Sequence, residues 1–225
     1  MFRQLSCNPK CCTHETEFRD TCDFCLKMIV MPYTAHRQPS TAPYPTLFLD
    51  RDGVINVRTP GDYVRSPEGF EPMPGLGEAM RLLAEWFGRI VVVTNQAGIG
   101  KGLMTESDLD AVHTKMLEVV TAARGRIDRA YHCPHPPAVG CNCRKPQSGM
   151  ALQAQTDFPD IDFQQSWMVG DSASDLEFGR RLGMRTVLIE GKMEESALLA
   201  EAQHDFRFGS LLDFARFVKI FNTQK

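Results

Sequence analysis

The chain has 225 residues, 43% hydrophobic and 24% charged, the mix of a globular protein with a sizeable core, which excludes collagen-like, wholly disordered and mini-protein classes. Its 25 Lys and Arg against 28 Asp and Glu leave a net charge of −3, so no overall field draws it to nucleic acid or an anionic membrane. No apolar run approaches the ~18 residues of a membrane span, and Cys7, Lys10 and Glu15 interrupt any signal-peptide core. The expectation is a cytoplasmic, monomeric enzyme with neither a nucleic-acid nor a membrane partner.

Residues 1–45 read as an extension and linker, and residues 46–225 as the folded domain. The extension carries Cys7, Cys11, Cys12, Cys22 and Cys25, and the linker Pro32, Pro39, Pro43 and Pro45. Cys22-x-x-Cys25 with Cys11, Cys12 and His14 could form a small zinc knot, which would be a binding module. The alternatives are a disordered tail, or a true start at Met28 or Met31.

From Thr46 onward, strand-length apolar segments alternate with amphipathic helices, the signature of a doubly wound parallel α/β sheet. The first strand is Thr46–Leu49. A helix over Gly75–Phe87 places Leu76, Met80, Leu83 and Phe87 on one face. Ile90–Val93 is apolar without alternation, as a strand covered on both faces requires. Thr105 with Asp108 forms a capping box for a helix to about Ala123. Strands follow at Ile127–Tyr131, Trp167–Gly170 and Thr186–Ile189, and a helix over Ser210–Phe221 closes the chain. Ser174 with Glu177 reads as the capping box after the fourth strand. Trp86, Phe87 and Trp167 read as core or strand-edge packing rather than ligand platforms.

Polar clusters follow three of these strands: Asp50-Arg51-Asp52-Gly53, Thr94-Asn95-Gln96, and Asp171 after Gly170. In an open α/β sheet the ligand crevice lies at that edge. Asp50 and Asp171 suit a hard divalent cation such as Mg²⁺. Asp52, two residues on from Asp50, faces the same way, so one carboxylate can attack while the other transfers a proton; which does which stays open on spacing alone. The Thr94 hydroxyl, the Asn95 amide and Lys145 are phosphate-binding types.

Cys133-x-His135 and Cys141-x-Cys143 set four soft ligands within eleven residues. Pro134, Pro136 and Pro137 stiffen the loop and Gly140 lets it turn. The set suits a closed, structural tetrahedral Zn²⁺ site. His132 is the neighbour that could exchange with His135. The loop leads into Arg144-Lys145, so the metal would fix two cations.

Leu49-Asp50-Arg51-Asp52-Gly53-Val54, Thr94-Asn95-Gln96, Arg144-Lys145-Pro146 and Gly170-Asp171-Ser172-Ala173-Ser174-Asp175 resemble the four motifs of the haloacid dehalogenase (HAD) superfamily. More narrowly, the chain resembles its heptose-bisphosphate and histidinol-phosphate phosphatase family over residues 46–222. The resemblance implies a Rossmann-like, capless fold with a zinc loop. It also implies Asp50 as nucleophile through an aspartyl-phosphate, and Asp52 as general acid and base. Mg²⁺ would sit on Asp50, the Asp52 carbonyl and Asp171. Thr94 and Lys145 would steady the phosphoryl group, and Asp175 would orient Lys145 or a metal-bound water.

Without room for a large cap, specificity falls to a flap over 54–70, to Asn95, Gln96 and Lys101, and to Arg144. Ala97 stands where the histidinol-phosphate branch tends to carry Asp, whereas Arg58, Lys101 and Arg144 offer cations to a second phosphate. The expected substrate is therefore a small sugar phosphate, D-glycero-D-manno-heptose 1,7-bisphosphate, losing its C7 phosphate; the alternative is histidinol phosphate. Ser172 stands where the family often has a basic residue, and Gly100-Lys101 where the branch commonly has Ala-Arg.

Overall fold

The computed structural model describes residue 42, residues 44–190 and residues 202–223. The cysteines of the N-terminal extension, and with them the zinc-knot reading and most of the linker, lie outside the described residues. Six strands form one wholly parallel sheet: β1 (Tyr44–Leu49), β2 (Phe87–Asn95), β3 (Arg129–Cys133), β4 (Trp167–Gly170), β5 (Arg185–Ile189) and β6 (Phe206–Phe208), in the order β3-β2-β1-β4-β5-β6. The helices are α1 (Leu76–Trp86), the short α2 (Ala97–Gly100), α3 (Glu106–Ala122), α4 (Gly149–Asp157), α5 (Ala173–Arg181) and α6 (Leu211–Thr223).

The unbroken apolar runs are explained by two cores. Leu47, Leu49, Ile90, Val92, Val169 and Val187 face one layer and pack with Met80, Leu83, Val112, Met116 and Phe214. Phe48, Val91, Val93 and Met168 point the other way, onto Met150, Ala154 and Phe178. Alternate residues of one strand thus meet different helices, and both faces are dry. Trp167 and Phe87 belong to an aromatic cluster with Tyr44 and Phe214 and are 2% and 0% exposed, as core residues should be.

Several boundaries differ from the sequence reading. Strand β3 runs two residues later, because buried His132 and Cys133 continue the ladder opposite Thr94 and Asn95. Thr105 caps α3 as expected: the Asp108 amide donates to Thr105 Oγ1 at 3.1 Å, and the Thr105 amide donates to Asp108 Oδ2 at 2.7 Å. The box at α5 is corrected: it is Ser172 with Asp175, since Asp175 Oδ2 takes the Ser172 amide at 3.0 Å and its hydroxyl at 2.6 Å.

The order β3-β2-β1-β4-β5-β6 reverses direction between β1 and β4. The crevice beyond the carboxyl ends of those two strands is where such sheets bind ligands, and Asp50 and Asp171 are the first residues past them. Among the described residues no helix is long and apolar enough to cross a membrane.

Candidate active site and metal centre

A cleft of about 330 Å³ opens at that switch point. Asp50, Asp52, Thr94, Lys145, Asp171 and Asp175 form its floor, and Arg58, Tyr63, Asn95, Lys101 and Arg144 its walls. The sheet therefore brings together every expected site residue of the cleft except Gln96.

Two glycines allow the carboxylates to meet. Gly53 has φ +95°, and a Cβ there would lie 2.0 Å from Asp171 Oδ2. A Cβ on Gly170 would lie 2.2 Å from that of Asp175. Any larger residue at either position must push a carboxylate out of the crevice.

Lys145 is 4% exposed, and its ammonium donates to Asp50 Oδ1 at 2.8 Å and to the Val93 carbonyl at 2.6 Å, with Asp175 Oδ1 at 2.7 Å. Burial works to lower its pKa, but Asp175 and Asp50 outweigh burial and push it up to about 12, so the cation is retained. Asn95 fixes the backbone beneath it: Asn95 Oδ1 accepts from the Lys145 amide at 3.0 Å, and Nδ2 donates to the Lys145 carbonyl at 3.2 Å. Burial raises the Asp50 carboxyl to about 6, with Asp175 and Asp52 adding to the shift and Lys145 opposing it.

Asp52 sits in a different environment. Burial would raise its pKa, but the Arg51 charge and hydrogen bonds from Asn56, Arg51 and Gln96 lower it. Arg51 grips both Asp52 oxygens at 2.9 Å, Asn56 Nδ2 donates to Oδ1 at 2.9 Å and Gln96 Nε2 to Oδ2 at 2.8 Å. Gln96 also donates to Thr94 Oγ1 at 2.9 Å and is fully buried. Unlike the other expected cleft residues it does not line the cleft; its Nε2 is spent on Asp52 and Thr94. Neither Arg51 nor Asn56 was expected among the site residues. Alternation turns Arg51 away from the cleft, and only the fold shows its partners.

The donor sets fit two kinds of metal. Asp50, Asp171 and Asp175 each bring a carboxylate oxygen within 4.8 Å of the others. Asp175 is held through Oδ2 by Ser172 and through Oδ1 by Lys145, whereas Asp50 and Asp171 stand directly past β1 and β4 at the switch point, a carboxylate pair that suits a hard cation. Arg58 Nη1 lies 3.6 Å from Asp171 Oδ2, so the flap and the Asp171 carboxylate are in contact.

Behind Arg144, the Cys133, Cys141 and Cys143 sulfurs lie 3.1–3.5 Å apart, and His135 Nδ1 lies 3.2 Å from Cys143 Sγ. Three sulfurs and one imidazole nitrogen at such distances are a closed soft-donor set. The hydrogen bond from Cys143 lowers the Cys133 thiol to about 5, toward the thiolate a metal takes. His132 is not part of this set: its Nε2 is 2.9 Å from Glu106 Oε2, on α3. The loop also braces Lys101, because the Gly100 amide donates to the Pro134 carbonyl at 3.0 Å. Lys101 Nζ lies over the Tyr63 ring at 5.4 Å, so both walls of the cleft are tied to the cysteine loop or the flap.

Fold and crevice together define a phosphohydrolase of the haloacid dehalogenase type, and a HAD-hydrolase-like family model matches residues 142–214. The chain is 45% identical over 137 residues to a Mycobacterium bovis protein, covering 60% of this chain and 72% of that one, named D-glycero-alpha-D-manno-heptose-1,7-bisphosphate 7-phosphatase. It is 36% identical over 171 residues to a Pseudomonas putida protein with the corresponding beta name, covering 76% of this chain and 97% of that one. It belongs to this family of HAD phosphatases. The D,D-heptose 1,7-bisphosphate phosphatase of B. bronchiseptica, solved with magnesium and phosphate, superposes with TM-score 0.71 at 29% identity over 80% of this chain and 99% of that one.

Proposed function

We propose that the chain removes the C7 phosphate of D-glycero-D-manno-heptose 1,7-bisphosphate through an aspartyl-phosphate on Asp50. The observation that carries this is the buried Asp50 carboxylate, 2.8 Å from Lys145 Nζ at the sheet's switch point, in a chain whose relatives bear that substrate in their names.

An Asp50 oxygen attacks phosphorus as the ester bond to the C7 oxygen breaks, and Asp52 gives that oxygen its proton. Asp52 then takes a proton from water, which attacks phosphorus, frees inorganic phosphate and restores Asp50. Although burial opposes it, Arg51, Asn56 and Gln96 lower the Asp52 pKa and favour its ionised form. A phosphoryl dianion beside it acts in the opposite sense, because like charge favours the neutral acid. Lys145 and the Thr94 hydroxyl steady the phosphoryl oxygens. Asp175 is a positioning residue for Lys145.

Asp50, Asp171 and the Asp52 carbonyl would hold Mg²⁺, which when bound offsets charge on the phosphoryl oxygens. Cys133, His135, Cys141 and Cys143 would hold a structural Zn²⁺.

Because Asp50 takes up a proton near pH 6, proton and Mg²⁺ compete for it. Magnesium affinity should therefore fall with pH through that range, by about tenfold per unit below it. Calorimetric titrations at pH 7.5 and pH 5 measure this, and equal Kd values would contradict it.

Arg58, Lys101 and Arg144 surround the cleft mouth as cations for the second phosphate. Arg144→Ala should lower kcat/KM on the bisphosphate by about tenfold to a hundredfold, the worth of one charged hydrogen bond, and leave 4-nitrophenyl phosphate within about threefold. Equal losses would mean that Arg144 does not read the sugar. The substrate is tested by phosphate release with Mg²⁺ from both heptose anomers, histidinol phosphate and 4-nitrophenyl phosphate. A large kcat/KM for one heptose anomer supports the reading, and preference for histidinol phosphate overturns it.

A further inference from the structure

Arg51 is 0% exposed and lies under the cleft floor. Its Nε and Nη2 are spent on Asp52, at 3.2 Å and 2.9 Å. Its Nη1 points instead to His113 Nε2, at 3.3 Å. His113 is itself 0% exposed, on the buried face of α3 beside Leu109, Val112 and Met116. An arginine has donors only, so His113 Nε2 must accept, which places the ring proton on Nδ1. That Nδ1 has no hydrogen-bond partner among the described residues. The ring is wedged edge-on against His132, centroids 6.3 Å apart, and His132 is tied to Glu106 at 2.9 Å.

A buried guanidinium with one bare arm has reason to turn toward any acceptor. Turning would carry the Asp52 carboxylate with it, since both Asp52 oxygens are held by the same fork. We propose that His113 is a positioning residue for proton transfer: it pins Arg51 from behind and so fixes the Asp52 carboxylate toward the leaving oxygen. This rests on Asp52 being the general acid. His113 touches neither substrate nor metal ligands; its effect passes through Arg51.

The discriminating readout is the leaving group. A sugar alkoxide needs the Asp52 proton to depart, whereas nitrophenolate leaves without one. The ratio of kcat/KM on the heptose bisphosphate to that on 4-nitrophenyl phosphate therefore isolates the proton step, because kcat/KM covers events up to phosphoryl transfer. His113→Phe, in the full-length zinc- and magnesium-loaded protein, should lower this ratio by about tenfold or more. His113→Gln, whose amide oxygen can accept from Nη1, should restore it to within about threefold of wild type. His113→Met serves as a second apolar variant, scored the same way, should the phenylalanine not fold.

Asp52→Asn is run beside them. If it lowers the ratio and folded His113→Phe does not, the positioning role is overturned and the role of Asp52 stands. If Asp52→Asn itself leaves the ratio unchanged, the general-acid reading fails and the His113 proposal with it. A folded apolar variant that loses both activities equally, or a glutamine variant that rescues nothing, would make His113 a packing residue and overturn the proposal.

Discussion

Asp50→Asn leaves a folded protein whose turnover falls by about 10⁴-fold or more, the scale of losing a nucleophile. The substitution is nearly isosteric. The side chain is 11% exposed and contacts Lys145 Nζ through Oδ1 at 2.8 Å, and an asparagine carbonyl oxygen can take that contact. What disappears is the charged oxygen that forms the bond to phosphorus. On the proposed ligand set Mg²⁺ would lose a ligand as well, so affinity and turnover should fall together. Trapping the intermediate separates the two effects: because water attacks phosphorus, Asp50 keeps its own oxygens, and in the wild type quenched during turnover borohydride reduction of the acyl phosphate converts Asp50 to homoserine. Residual activity near wild type in Asp50→Asn, or no homoserine at position 50 after trapping, would remove it as nucleophile.

The second large effect is on the cysteine loop. Cys141→Ser should lower the zinc content by one atom per chain relative to wild type. The midpoint of thermal unfolding should fall by about 10 °C or more, which for a chain of this size corresponds to about 3–5 kcal/mol. Cys141 Sγ is 3.5 Å from Cys133 and 3.3 Å from Cys143, and without it the other soft donors are left without closure. The damage should reach the cleft. Arg144 Nη1 donates to the His135 carbonyl at 3.4 Å, and Gly100 hangs on Pro134. Activity on the bisphosphate should therefore suffer beyond what unfolding explains. Metal counting by mass spectrometry and a thermal scan read both; an unchanged zinc content would contradict the ligand set.

How much of this was legible in the sequence depends on distance. Strand β4 was read to the residue, because Trp167–Gly170 is an apolar run closed by a glycine that the fold needs. The convergence of Asp50 and Asp171 was legible because each directly follows a strand, and strand ends of a parallel sheet converge. The grouping of Cys133, His135, Cys141 and Cys143 was legible because local spacing alone brings these side chains together, while His132 stands apart from them against Glu106.

What escaped is long-range or weakly patterned. Strand β6 has three residues with Arg207 at its centre, too short to show a period. Helix α4 opens on a glycine and carries two glutamines, so its apolar face is faint. Gln96 looked like a substrate contact because it follows Thr94-Asn95, but the chain turns there and sends its amide down to Asp52. His113 reads in sequence as one polar residue on an apolar helix face. Its 3.3 Å contact with Arg51 spans 62 residues and has no local signature.

Product identity tests the central claim most directly. Incubated with Mg²⁺ and D-glycero-D-manno-heptose 1,7-bisphosphate, the protein should abolish the C7 phosphomonoester resonance in ³¹P NMR, leave the C1 resonance in place and release one equivalent of inorganic phosphate. Loss of the C1 resonance, or persistence of both in magnesium-loaded protein, would contradict the account.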